Sequence, residues 1–167
     1  GNADGDAVDD VLALVDGFLA TQLRGRIAAA RGVRIEEPFA FTVGDDLPVV
    51  HGVLDVIAVQ DDSSALVVDY KTNRVEGLDV ATVAQEEYGL QRDIYALAAL
   101  RAGAPQVEVA YVFLERPDEP VSRVFTGADV PRLEAALRAV LEPVARGDHP
   151  VGPAPHGHRS TWCPGHS

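Results

Sequence analysis

A chain of 167 residues, 47% hydrophobic and 24% charged, has the length and composition of one globular domain with a real core, and contains no run of about 18 apolar residues that would span a membrane. Its net charge of −12 argues against a stand-alone duplex binder, which needs a basic face to release counterions from phosphates. A lone cysteine, Cys163, forbids an internal disulfide and fits a reducing cytoplasm; no signal-peptide pattern opens the chain.

The acidic start, Gly1–Asp6, reads as a frayed end. From Ala7 to about Arg31, apolar residues Val8, Val11, Leu12, Val15, Leu19, Leu23 and Ile27 recur at three- and four-residue spacing and predict a helix. Val33–Val43 reads as a strand with Ile35, Glu37, Phe39 and Phe41 in one row, and Pro38 suggests an edge position or bulge. Glu37 is either a further acid near a metal or, as we favour, a strand-end carboxylate facing solvent. Gly44-Asp45-Asp46 with Pro48 turns the chain into two apolar strands, Val49–Val59 and Ala65–Lys71, joined by Gln60–Ser64. Thr72-Asn73-Arg74 ends the second of them, with Arg74 a solvated loop arginine. Asp79 begins a linker into a helix over about Val83–Ala102, stopped by Gly103. There Tyr88, Gln91 and Tyr95 share a face, and Leu90, Ile94, Leu97 and Ala98 form the neighbouring core stripe. Strands follow at Val107–Leu114 and Val121–Thr126, then a helix from Leu133 to about Ala145 with Leu133, Ala136, Leu137, Val140 and Leu141 as its apolar face. Residues 1–147 thus form one domain. Residues 148–167 form a Pro/Gly/His-rich tail, read as loosely docked through Trp162 rather than as a zinc site built from His156, His158, Cys163 and His166.

Three charges intrude on the central apolar pair: Asp55, Asp69 and Lys71. An uncompensated charge in a buried strand costs several kcal/mol, and folding does not require it. A turn centred on Asp62 sets Asp55 directly opposite Asp69 and Lys71 opposite Val53, with Lys71 on the face of Asp69. Opposed Cβ atoms lie roughly 4.5–5.5 Å apart, so two carboxylates there repel unless a cation lies between them. Oxygen-only ligation suits Mg²⁺ or Mn²⁺, and Lys71 beside it would orient a water or stabilise charge on a phosphate. The plain alternative is a salt-bridged Asp–Lys pair at a strand end. His51, four residues along the strand from Asp55, is too far to share that ion and reads as a packing or solvent residue.

At these residues the chain resembles a known family. Gly52-Val53-Leu54-Asp55, Val68-Asp69-Tyr70-Lys71-Thr72 and Gln91-Arg92-Asp93-Ile94-Tyr95 are similar, in order, to the G-x-x-D, D-Y-K and Q-x-x-x-Y signatures of the RecB-like exonuclease branch of the PD-(D/E)XK nucleases. The resemblance spans roughly Glu36 to Gly147. It implies a restriction-endonuclease-like α/β core, a mixed sheet flanked by helices. It also implies metal ligation by Asp55, Asp69 and the main-chain carbonyl of Tyr70, a catalytic Lys71, and DNA contacts by Gln91 and Tyr95. Many relatives hold an iron–sulfur cluster on four cysteines, which a single cysteine does not support. Relatives also carry a His or Glu ligand on an upstream helix, and Ala7–Arg31 has neither. Either the site is weakened or, as we favour, the chain is a piece of a longer UvrD/Rep-type helicase–nuclease or recombination exonuclease whose further part carries that ligand. Its substrate is single-stranded or unwound DNA delivered by a helicase domain in the same chain or a partner subunit, in the cytoplasm and away from membranes. The rival reading is a nuclease-like domain that no longer cuts and serves to position DNA or dock a subunit.

Overall fold

The structure, a computed structural model, describes residues 21–147. Residues 7–20 of the expected N-terminal helix and the tail with Trp162, Cys163 and its histidines lie outside the described residues. In the described part a helix starts afresh after the extended N-cap Thr21 and ends at Ala28, so the expected single helix Ala7–Arg31 does not form. Within them the order is α1 (Gln22–Ala28), β1 (Gly32–Phe41), β2 (Val50–Val59), β3 (Ala65–Lys71), α2 (Val80–Arg101), β4 (Gln106–Phe113), β5 (Val121–Thr126), a 3₁₀ turn (Gly127–Asp129) and α3 (Val130–Ala145). All five expected strands form, with ends moved by a residue or two.

The strands lie in sequence order in one five-stranded sheet. β1, β2 and β3 make an antiparallel meander. The chain then crosses over through α2, so that β4 runs parallel to β3, and β5 returns antiparallel to β4. A parallel neighbour needs such a crossover, and a helix supplies it. β3 and β4 are central and buried on both faces, which is why they read as continuous apolar runs. On one face Val67, Val107, Val109 and Phe125 pack against Leu97 and Leu100 of α2 and Leu133 and Leu137 of α3. On the other, Val56, Ala58, Leu66, Val68, Ala110 and Val112 pack against Leu23 and Ile27 of α1. β1 is an edge strand, which accommodates Pro38.

The β2–β3 turn is the one expected: Gln60 and Ser64 close it, and the Asp62 carboxylate accepts the Ser64 N–H at 2.9 Å. Other expectations need correction. Asp79 is the N-cap of α2, accepting the Thr82 N–H at 3.0 Å, so the helix starts at Val80 rather than after a linker. Leu90 is 44% exposed instead of core. Val140 also faces outward on α3.

The row of Ile35, Glu37, Phe39 and Phe41 is broken. Glu36 has a left-handed φ of 53°, between the pairs Ile35–Val56 and Glu37–Leu54. Leu54 belongs to the α2-side core and Val56 to the α1-side core, although residues two apart in a regular strand share a face. The side-chain phase therefore slips at Glu36 and Asp55, in both strands at one level. Ile35 ends 72% exposed, and Arg34 and Glu37 meet in an ion pair at 2.8 Å. Glu37 is half-buried, its side chain 32% exposed, and it keeps the face of Phe39 and Phe41, so the expected solvent-facing placement is not what forms. His51 and Arg74 are exposed.

Candidate active site

The β2–β3 ladder keeps the expected register from Val59–Ala65 to Val56–Val68 and stops there, one step short of Asp55 and Asp69. β3 stays paired with β4 as far as Lys71–Phe113, so β2 parts from a strand that is still held on its other side. Asp55 sits at this parting. Its Oδ2 accepts the main-chain N–H of Tyr70 at 3.1 Å, where a ladder bond would otherwise run. The expected face-to-face placement of Asp55 on Asp69, and of Lys71 on Val53, is therefore replaced by an in-plane approach of Asp55 to β3. In a strand the N–H and C=O of one residue face the same neighbour, so the Tyr70 carbonyl lies on the Asp55 side.

Asp69 and Lys71, two apart on β3, both face α2. Asp69 is 3% exposed and the Lys71 side chain 11%, and Nζ donates to Asp69 Oδ1 at 2.7 Å. Nζ also donates to Gln91 Oε1 at 2.8 Å and lies 4.0 Å from the centre of the Tyr88 ring. An ammonium has three N–H donors, and these three partners account for them. Gln91 Nε2 donates to the Tyr95 hydroxyl at 2.9 Å. Since an ammonium can only donate, Oε1 must face Lys71, which sets the amide and makes the Tyr95 oxygen an acceptor. The Tyr95 proton bonds Asp69, closing a ring of four side chains.

Burial raises the Asp69 pKa above its ordinary value of 3.8; the Lys71 and Tyr95 bonds pull it down, and the Asp55 charge pushes it up. Burial, then the charge on Asp69, likewise raises the Tyr95 phenol. The two carboxylates thus sense each other across the parted strands. All six residues singled out in the sequence (Asp55, Asp69, Tyr70, Lys71, Gln91 and Tyr95) lie around this one point. Sequence reasoning missed Tyr111. It pairs with Asp69 across β3 and β4, lies 5.1 Å under Nζ, and ties β4 to α2 by donating to the Tyr88 carbonyl at 2.9 Å. A tyrosine in the middle of the largely apolar run Val107–Leu114 was the available signal. A second signal is composition: of 14 basic residues in the chain, Lys71 is the only lysine.

A family model described as the PD-(D/E)XK nuclease superfamily matches residues 6–167. The chain belongs to the PD-(D/E)XK nuclease superfamily. Members are usually metal-dependent nucleases acting on DNA, generally with divalent ions such as Mg²⁺, and the mixed sheet with flanking helices is the restriction-endonuclease-like α/β core. A solved structure described as "Crystal structure of SSO0001" is similar over 83% of this chain at 19% identity, with a TM-score of 0.43, and this chain spans 61% of that one. No curated protein matches the sequence. Among the described residues no helix is long and apolar enough to cross a membrane.

Whether this PD-(D/E)XK site suits a divalent ion is decided by its donors. No group of three or more His, Cys, Asp and Glu with metal-holding geometry occurs among the described residues, which does not suit a closed all-protein cage. Two carboxylates with a main-chain carbonyl beside them do suit Mg²⁺ or Mn²⁺, which keep several waters and take one or two carboxylates.

Proposed function

We propose that Asp55, Asp69 and Lys71 form the catalytic centre of a metal-dependent deoxyribonuclease that hydrolyses phosphodiester bonds. We place this PD-(D/E)XK domain as the RecB-like exonuclease module of a helicase–nuclease in DNA repair or recombination. The observation that carries the reading is the buried Asp69–Lys71 pair at 2.7 Å, closed by Gln91 and Tyr95, at the one level where β2 leaves β3. A simple stabilising pair needs neither the third acid nor the polar ring, and burying such a pair is at best a break-even way to gain stability.

In this reading Asp55, Asp69 and the Tyr70 carbonyl hold Mg²⁺ or Mn²⁺. The ion would supply charge stabilisation at the phosphodiester and a more acidic water. Lys71, held by Asp69 and Gln91, turns the N–H that lies over the Tyr88 ring to the attacking water or to a non-bridging phosphate oxygen. Tyr95 keeps Gln91 in place, and the two line the path of the strand next to the scissile phosphate. The net charge of −12 supports delivery by a motor: a domain this acidic gains little affinity from phosphates, whereas a helicase domain in the same chain or a partner subunit brings the unwound strand to it.

The test is cleavage of end-labelled single-stranded DNA with Mn²⁺ or Mg²⁺, using wild type, Asp69→Ala and Lys71→Ala, in this chain and in any longer protein that contains it. Cleavage by wild type alone, abolished by chelation, is expected. Equal cleavage by all three would remove the catalytic assignment, and DNA retention without cleavage under any condition would favour the rival, a non-cutting positioning or docking domain.

A further inference from the structure

The polar ring around Lys71 stands on an apolar support that reaches back to β2. Gly52 and Phe39 are direct partners across β1 and β2. The Phe39 ring lies over the glycine so closely that a Cβ there would come within 2.8 Å of Cζ and 3.0 Å of Cε1. The ring meets Tyr95 edge-on, with centroids 6.0 Å apart and planes at 83°, and Phe41 stacks beside it at 6.0 Å. Tyr95 in turn takes the Gln91 amide at 2.9 Å, and Gln91 takes Lys71 at 2.8 Å. Glycine inside a strand is entropically unfavourable and marks a close approach of another group. An aromatic ring laid across a strand glycine is a known way to fill that gap.

We propose that Gly52 is a positioning residue: its missing side chain seats Phe39, Phe39 seats Tyr95, and Tyr95 with Gln91 sets the Lys71 ammonium beside Asp69. The inference rests on the nuclease reading for its catalytic meaning, but its geometric content is independent of that reading. A methyl group at position 52 drives the Phe39 ring towards Tyr95 and displaces the ring of hydrogen bonds. Shortening Phe39 to leucine makes room for the methyl and relieves the push.

The test uses Gly52→Ala, Phe39→Leu and the double variant, with two readouts. Lys71 is the chain's only lysine, so lysine labelled with ¹³C and ¹⁵N gives one side-chain spin system, and its ε-CH₂ is shifted by the Tyr88 ring 4.0 Å from Nζ. We expect Gly52→Ala to move that resonance towards its unstructured position and to lower kcat about 10- to 100-fold, as a displacement of up to about 1 Å would, with KM changed little. The double variant should return the resonance, and much of the rate, towards wild type. A folded Gly52→Ala with an unmoved Lys71 resonance overturns the proposal, and so does a double variant no closer to wild type than Gly52→Ala. If Gly52→Ala fails to fold, recovery of folding on adding Phe39→Leu supports the clash and lack of recovery refutes it. If wild type proves inactive, the nuclease reading fails while the resonance still decides this one.

Discussion

Replacing Gln91 by methionine keeps the length of the side chain and removes both of its hydrogen bonds. The bond to Lys71 Nζ, 2.8 Å long, is made to a charged group whose side chain is only 11% exposed, so water does not readily take its place. Hydrogen bonds to charged groups are worth about 1.5–3 kcal/mol, and if that is expressed in the transition state kcat falls about 10- to 150-fold. Tyr95→Phe leaves the Lys71 bond intact but removes the neutral bond from Gln91, worth about 0.5–1.5 kcal/mol, and the bond to the Asp69 carboxylate, worth about 1.5–3 kcal/mol, together roughly 30- to 2,000-fold if both are expressed in the transition state. The two substitutions share the Gln91–Tyr95 bond, so the double variant should lose less than the product of the single losses. The assay is a single-turnover rate on end-labelled single-stranded DNA at saturating Mn²⁺, with binding measured separately by anisotropy. A Gln91→Met rate equal to wild type, or fully multiplicative losses in the double variant, would refute the argument that Gln91 acts by holding Lys71. A loss confined to binding would assign Gln91 to the DNA strand alone.

Two further substitutions test the frame around the site. Burial pushes the Glu108 carboxyl up, but the hydrogen bonds from Arg26, at 2.8 Å, and Ser122 outweigh it and hold its pKa below 4.5. A carboxylate lowered in the folded state contributes stability above its unfolded pKa and loses it as pH falls through the folded value. Urea midpoints should therefore show wild type ahead of Glu108→Gln at pH 7 by up to about 1 kcal/mol, with the gap closing below 4.5; a constant gap would contradict this. Arg92 is 5% exposed, with its Nε buried and unpaired and, among the described residues, one side-chain bond, from Nη2 to Gln85. Arg92→Leu should melt at the same temperature or higher, because a buried ion without a full set of partners costs more than an apolar side chain of similar volume. A fall of several degrees would show that Arg92 contributes stability beyond these contacts.

The strands were legible because their patterns are local. Val49–Val59 and Ala65–Lys71 are apolar on both faces, as central strands are, and Asp62 marks the turn that sets their register. Asp55, Asp69 and Lys71 stood out for a thermodynamic reason: charge in a buried strand is unfavourable without a compensating group. Helix ends were less legible, because Asp79 read as linker until its carboxylate was seen to cap Thr82. Leu90 and Val140 misled because helical spacing shows which residues share a face, not which neighbouring element covers it.

What the chain's sequence determined by itself was the order of elements, the turn at Asp62 and the three charges, Asp55, Asp69 and Lys71, that gather at the end of β3, since each follows from periodicity, turn chemistry or an out-of-place charge; Tyr70, Gln91 and Tyr95 were added by the family resemblance. Tertiary structure alone decided how those residues meet. The slip at Glu36 and Asp55 turns Asp55 from a cross-strand partner of Asp69 into an acceptor for the Tyr70 N–H. The crossover brings Gln91, Tyr95 and Tyr88 down onto Lys71, and β4 brings Tyr111 beneath them. Side-chain alternation predicts a face only while a strand stays regular, and contacts between residues distant in sequence depend on how whole elements pack.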